Sequence, residues 1–342
     1  MLRLQNAKWI FIGSILLILT ATLLLLWGQY PIDLDTFESY LSYKLFNAQT
    51  TLDQDTITLL DNIILEIRLP RILLAMLIGA SLATSGAVFQ AMFVNPLVSP
   101  GILGVLAGAS FGAALGMLLT EAWFMIQVLA FSFGFIAVAF SVLIGSMVHN
   151  SRSSIMLVLG GVISGSLFSA LLSVIKYVAD PYSTLPAIVY WLMGSLSMAE
   201  LDGVLLISIP MLVSIFSMVL MGKYFDILSL GDEEAKALGV NVKLIKTLAI
   251  ILATLASSLS VVMAGIIGWI GLIIPHIIRM AIGPSHALLL PLSAIVGAIF
   301  LLLADSVSRL AMSVEIPIGI LTSLIGIPIF IIVLKNARAA WN

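Results

Sequence analysis

The stretch Ile72-Leu-Leu-Ala-Met-Leu-Ile-Gly-Ala-Ser-Leu-Ala-Thr-Ser-Gly-Ala-Val-Phe-Gln-Ala-Met-Phe-Val94 contains no charged residue. At 1.5 Å per residue a helix of this length crosses a hydrocarbon core of about 30 Å. Small residues recur along it at every fourth position, at Ala75, Gly79, Ala83, Ala87 and Ala91. That spacing keeps them on one helical face, where a neighbouring backbone can approach closely. A strand of a membrane barrel would instead alternate over about ten residues. The run reads as a membrane helix packed tightly against others.

The same pattern extends outward. Apolar runs near 8–28, 72–94, 98–119, 122–147, 154–178, 203–222, 244–264, 271–282, 287–304 and 317–334 predict an all-α, polytopic protein of about ten transmembrane helices. The eighth run is too short to cross a full hydrocarbon core, so it belongs to a broken element or leans on a neighbour. A second small-residue stripe, Gly104, Gly108, Gly112 and Gly116, marks another tightly packed face. No tandem repeat or separate soluble region interrupts residues 1–342, which read as one transmembrane domain.

Composition points the same way. Hydrophobic residues make up 61% of the chain, charged residues 9%, and mean hydropathy is +1.20. A soluble domain carries about 25% charged residues, so this chain needs lipid as its solvent. The net charge of −2 leaves no basic surface for nucleic acid. With no cysteine there is no disulfide, thiolate or iron–sulfur chemistry. His149, His276 and His286 lie far apart and lack metal-ligand spacing, so no metal site is expected. Arg3 and Lys8 precede the run from Trp9 to Trp27, but Gly28-Gln29-Tyr30-Pro31 offers no small-residue cleavage site, and the first run is expected to be a retained helix.

Lysine and arginine placement sets orientation. With the N-terminus cytoplasmic, ten of these residues fall inside and five (Lys44, Arg68, Arg71, Lys176 and Arg309) outside, which favours both termini in the cytoplasm. Two connections are long: an outer loop at about 29–66, rich in Asp and Thr, and an inner segment at about 226–241.

In the inner segment, Ser229 stands three residues before Asp232 as in a capping box, and Glu233 and Glu234 extend negative charge over a first helical turn. Gly239 stands where a helix ends in a left-handed residue. A short cytoplasmic helix over 232–238 is predicted, with Ala235 and Leu238 free to enter a groove on another protein. From these residues alone, partner docking and an ordinary surface turn are equally good readings.

The ordered motifs are more specific. They are Arg68-Leu-Pro-Arg71, Gly86-Ala-Val-Phe-Gln90, Asn95-Pro-Leu-Val-Ser-Pro100, Leu103-Gly104, Trp191-Leu-Met-Gly-Ser195, and Leu228-Ser-Leu-Gly-Asp232 with Ala237-Leu-Gly-Val240. Gly271-Leu-Ile-Ile-Pro-His276 with Arg279, Ala304-Asp305, Arg309, Glu315-Ile-Pro-Ile-Gly319 and Gly326 complete the set. In these the chain resembles the FecCD-type permeases of type II ATP-binding-cassette importers, which take up siderophores, haem and vitamin B12.

The resemblance implies a non-catalytic permease in the bacterial inner membrane. It would pair with a second copy or a paralogue and dock two cytoplasmic ATPase subunits, which carry the ATP and Mg. An extracytoplasmic binding protein would deliver the cargo. The implied ATPase-coupling residues are Leu228, Ser229, Leu230, Gly231, Asp232, Glu233, Ala235, Leu238 and Gly239. Arg68, Arg71 and Arg309 would receive acidic residues of the binding protein, although cations also serve as interfacial anchors at helix ends. Asn95, Leu97, Ser153 and Ser154 would form the cytoplasmic gate, the serines having a simpler reading as helix caps. Consistently, the chain has no Gly-x-x-x-x-Gly-Lys-Ser/Thr loop of its own.

Where many relatives read Gly-Pro-Ile-Gly-Phe, this chain reads Gly265-Ile-Ile-Gly-Trp269, and loss of that proline is expected to change a kink before the short eighth helix. The Trp form is similar to members linked to molybdate or other oxyanions. The expected cargo is an iron chelate or related cofactor, with molybdate, tungstate or cobalamin as alternatives. An ion-coupled secondary transporter is the rival class, but it usually keeps intramembrane carboxylates. Here nearly all acids map to loops, with Asp305 near the outer end of its helix.

Overall fold

The computed structural model describes residues 2–46, 49–147 and 154–339. Helix α1 (Leu2–Leu26) is followed by α2 (Leu34–Phe46) and α3 (Gln54–Asp61), and a π-helical stretch (Asn62–Arg68) leads directly into α4 (Leu69–Met92). A 3-10 turn (Pro100–Leu103) precedes α5 (Val105–Leu119), α6 (Trp123–Met147), α7 (Ser154–Val178), α8 (Thr184–Met193) and α9 (Leu201–Leu220). The short α10 (Gly222–Leu228) and α11 (Asp232–Ala237) lead to α12 (Val242–Ala264), α13 (Ile270–Ile282), α14 (His286–Leu310) and α15 (Ile318–Ala339). No strand occurs among the described residues.

Each expected span has a helix at its place, but by length and composition seven described helices suffice to cross a membrane. Val105–Leu119, Ile270–Ile282 and Ile318–Ile332 are shorter apolar pieces, as is Thr184–Met193, which hydropathy did not single out.

The stretch 72–94 lies at the centre of the molecule, in a continuous helical rod from Gln54 to Met92 that is 78% buried over its most apolar window. At 39 residues the rod measures about 58 Å, so its outer portion stands beyond the hydrocarbon core. The small-residue stripes explain the packing. A Cβ on Gly79 would stand 2.2 Å from the Gly297 carbonyl oxygen of α14, and one on Gly297 2.4 Å from that of Gly79. Cβ atoms on Gly108 and Gly112 would meet the carbonyls of Phe133 and Leu129 on α6, each at 2.3 Å. Backbones this close gain dispersion contacts that lipid cannot supply.

Three expectations change. The region 29–66 is not an open loop: α2 and α3 close a small core of Ile32, Phe37, Tyr40, Leu60 and Ile64. Tyr40 donates to Asp61 at 2.6 Å, and Lys44 pairs with the same carboxylate at 2.9 Å. Burial, then the Asp61 contact, pushes the Tyr40 phenol above its ordinary pKa. Hydropathy averaging hides such short amphipathic helices.

The predicted run 98–119 begins later as α-helix, because Gly104 adopts φ +82° between the 3-10 turn and α5. The bend before α13 persists without its proline. Gly265 (φ +67°) and Trp269 (φ +71°) break the chain between α12 and α13. Neighbouring irregular segments satisfy the backbone there: Ser195 N–H donates to Ala264 O and Ile318 N–H to Gly194 O, both at 3.0 Å.

Candidate functional site

Two polar regions stand at opposite ends of the bundle. On the side assigned to the cytoplasm, α10 and α11 are laid across the ends of α4, α12 and α14. Phe225, Leu228 and Ala235 are buried in the main apolar core. Asp226 fixes α10 to the start of α14 by accepting the His286 backbone N–H at 2.5 Å, contacting His286 Nδ1 at 3.0 Å and accepting from Ser285 Oγ at 3.3 Å. Asp232 ties α11 to Lys246 of α12 at 2.7 Å. The surface left uncovered carries two leucines, Leu230 and Leu238, each 61% exposed.

This geometry corrects parts of the sequence reading. Ser229 does not cap α11: its hydroxyl donates back to Phe225 O at 2.8 Å, and it ends α10. The N-cap of α11 is Gly231, with φ +115° and no side-chain cap, because a tight turn links the two helices. Ala235 faces inward rather than toward a partner, and Leu230 takes the outward place instead. Glu233 remains on the exposed side, pairing with Lys236. Gly239 has φ +81°, and an added Cβ would meet nothing within 4 Å, so it is needed for conformation and not for room.

The structure brings part of the expected gate to this face. Asn95, Ser229 and Leu230 line one groove of about 520 Å³ together with Gln90 and Arg279. Arg279 Nη2 donates to Gln90 Oε1 at 3.0 Å, joining α13 to the end of α4. The Asn95 side chain accepts from Leu97 N–H at 2.9 Å, and Leu97 is 54% exposed. Ser153 lies outside the described residues; Ser154 begins α7, and its side chain is likewise undescribed. His276 is buried on α13. Sequence spacing could not reveal that Asn95 and Leu230 share a groove, because that depends on how α10 crosses α4.

At the outer end, the three arginines expected to stand free are engaged within the chain. Arg68 is 4% exposed and donates to the backbone carbonyls of Leu25 and Tyr30. Gly28 leaves room for this, since a Cβ there would lie 2.7 Å from Arg68 Nη2. Arg71 Nε donates to Asp305 at 2.9 Å, and its terminal nitrogens donate to Glu315 Oε1 and Oε2 at 2.9 and 3.0 Å. Arg309 Nε donates to Asp305 at 3.1 Å. Asp305, the one carboxylate that could have served ion coupling, is thus held between two arginines. Burial forces this pairing, since an unpaired guanidinium or carboxylate there would lose its hydration uncompensated.

Comparison with known proteins agrees with this architecture. The model of the FecCD transport family matches residues 15–336. The chain is 39% identical over 338 residues to the molybdate import system permease protein MolB of Haemophilus influenzae, covering 98% of each. It is 38% identical over 322 residues to a probable iron chelatin transport system permease protein of Helicobacter pylori, covering 94% of this chain and 96% of that one. Among solved structures, an inward-facing metal-chelate type ABC transporter superposes with a TM-score of 0.86 at 37% identity, covering 96% of this chain and 99% of that one. With its family model, full-length relatives and bundle in agreement, the chain belongs to the FecCD transport family, as a membrane-embedded, non-catalytic permease of an ATP-binding-cassette importer.

Proposed function

We propose that this permease is one half of a dimeric pore in the cytoplasmic membrane, with both termini inside, driven by ATPase subunits docked on the α10–α11 face. The observation that carries the reading is the pairing of exposed Leu230 and Leu238 with a rigidly anchored α11 beside the groove that contains Asn95. A partner pushing on the two leucines transmits the push to α14 through Asp226–His286 and to α12 through Asp232–Lys246, and so moves the wall of that groove that α10 and the start of α14 form. No residue arrangement on this chain is needed for ATP chemistry.

Helix α7 supports the dimer. Only 22% of its most apolar window is buried, and its exposed side carries Ser166, Ser169 and Ser173 as well as leucine and valine. Hydroxyls are poorly placed against lipid tails, and a second copy or an aqueous pathway would cover them better. On the outer face, Arg309 is the arginine with terminal nitrogens left to receive an acidic side chain of a binding protein.

For cargo, we infer a metal-bearing chelate or oxyanion taken from that binding protein. An iron chelate fits the superposition on a metal-chelate type transporter. Molybdate is a second reading, favoured by the MolB relative, which aligns over 98% of both chains. Binding of ferric chelates, haem, cobalamin and molybdate to the cognate binding protein, followed by uptake into vesicles with and without the ATPase, tests this. Uptake that persists without the ATPase would overturn the coupling reading, and binding of none of these ligands would overturn the cargo reading.

A further inference from the structure

Arg68, Arg71 and Arg309 line one cavity of about 190 Å³ at the outer end of the bundle, with Glu315, Gln29, Tyr30, Ile63, Ile67 and Ile72 on the remaining wall. The charges there do not cancel. Three guanidinium groups, permanently protonated, face two carboxylates, Asp305 and Glu315. Glu66, in the neighbouring π-helical stretch, points to the surface and is not part of the cavity wall.

The hydrogen bonds locate the surplus. Arg71 is saturated by both carboxylates. Arg68 gives one N–H from each terminal nitrogen to a backbone carbonyl, which carries no charge and leaves its other N–H groups able to donate. Arg309 uses Nε on Asp305, and among the described residues its two terminal nitrogens have no acceptor. The uncompensated positive charge therefore lies between Arg68 and Arg309, which repel one another across a partly dehydrated space. A cation pair so placed is relieved by an anion accepting charge-assisted hydrogen bonds from both. The volume corresponds to about six waters, room for a small ion with part of its hydration shell.

We propose that this cavity binds one small monovalent inorganic anion, of the chloride or nitrate class, between the guanidinium groups of Arg309 and Arg68. The site belongs to the permease itself and needs no binding protein, so testing it on the isolated chain keeps it separate from the docking and cargo readings.

The purified full-length permease in detergent is titrated with sodium chloride, nitrate or gluconate at constant ionic strength while its thermal unfolding midpoint is followed. Chloride and nitrate should raise the midpoint saturably, while gluconate, a larger and more strongly hydrated anion, should raise it far less. Arg309→Gln cancels the surplus charge and should abolish the dependence. Glu315→Gln doubles the surplus and should lower the half-saturating chloride concentration about tenfold, roughly 1.4 kcal/mol. Bromide anomalous scattering from crystals of the unaltered chain should place a peak at the Arg309 terminal nitrogens, a readout that does not depend on either variant folding. Equal stabilisation by gluconate and chloride, unchanged anion dependence in both variants, or no bromide at Arg309 would each overturn the proposal.

Discussion

Arg71 forms a bidentate pair with Glu315, at 2.9 and 3.0 Å, across 244 positions of sequence. The same guanidinium holds Asp305 through Nε, so one side chain fastens α4 to α14 and to the turn before α15. Arg71 and Asp305 are both buried, with side-chain exposures of 8% and 3%. Removing Asp305 leaves Arg71 with Glu315 alone and Arg309 with no carboxylate. Asp305→Asn is expected to cost about 3–5 kcal/mol. Replacing the whole network, Arg71→Met and Asp305→Leu together with Glu315→Gln and Arg309→Gln, should recover most of that loss. Chemical unfolding of the two variants in detergent measures the difference; equal losses would show that the pair is not the source.

The outer helices α2 and α3 have their own polar clasp, Tyr40 to Asp61. Tyr40→Phe should cost about 1 kcal/mol, the ordinary net value of one hydrogen bond. The pH dependence follows from the raised phenol pKa. In the unfolded chain tyrosine ionises near about pH 10. Above that, the unfolded state releases its proton first, so the folded state loses stability as pH rises. Alkaline unfolding followed by tyrosine absorbance should therefore shift to higher pH in Tyr40→Phe; coincident curves would contradict the assignment.

Gly239 and Leu238 separate conformation from contact on the α10–α11 face. Gly239→Val forces a β-branched residue to φ +81° and should cost about 1–2 kcal/mol locally. Leu238→Asp strains nothing, because the side chain is exposed. Both variants should insert into the membrane, yet transport should fall at least about tenfold in Leu238→Asp, equivalent to about 1.4 kcal/mol of lost coupling. Full ATP-driven uptake by Leu238→Asp would remove the leucine from the coupling surface.

The Gly79–Gly297 contact predicts a packing defect of a definite kind. Gly79→Leu drives its side chain into the Gly297 carbonyl, where backbone and not a flexible side chain must move. A loss of about 2–3 kcal/mol is expected, at the upper end for overpacking. Gly297→Leu should behave alike, and the double variant should not restore stability. Thermal unfolding of the three variants measures this, and a tolerated Gly79→Leu would mean that α4 and α14 are not in backbone contact.

What could be read from residues alone was whatever depends on local composition and spacing. The charge-free run at 72–94 read as a helix because lipid leaves its backbone no other partner. The fourfold repeat of Ala75, Gly79 and Ala83 read as a packing face because helical spacing aligns them. Gly239 read as a helix stop because few residues other than glycine adopt left-handed backbone cheaply. The short helices α2, α3, α8 and α10 were missed, since each is brief, amphipathic or both, and hydropathy averages over a longer window.

Tertiary structure alone decided which groups face which. Ser229 had the spacing of a cap, but its hydroxyl turned back on Phe225 once Gly231 made the tighter turn. Ala235 and Leu238 looked equivalent until α11 lay down on the core and buried the smaller residue. Arg68, Arg71 and Arg309 read as cations at a membrane edge. Only the fold showed them drawn inward to Asp305, Glu315 and two backbone carbonyls, because burial makes an unpaired charge too costly to leave. Helix identity in lipid is a local property of the chain, whereas charge pairing is settled by residues hundreds of positions apart.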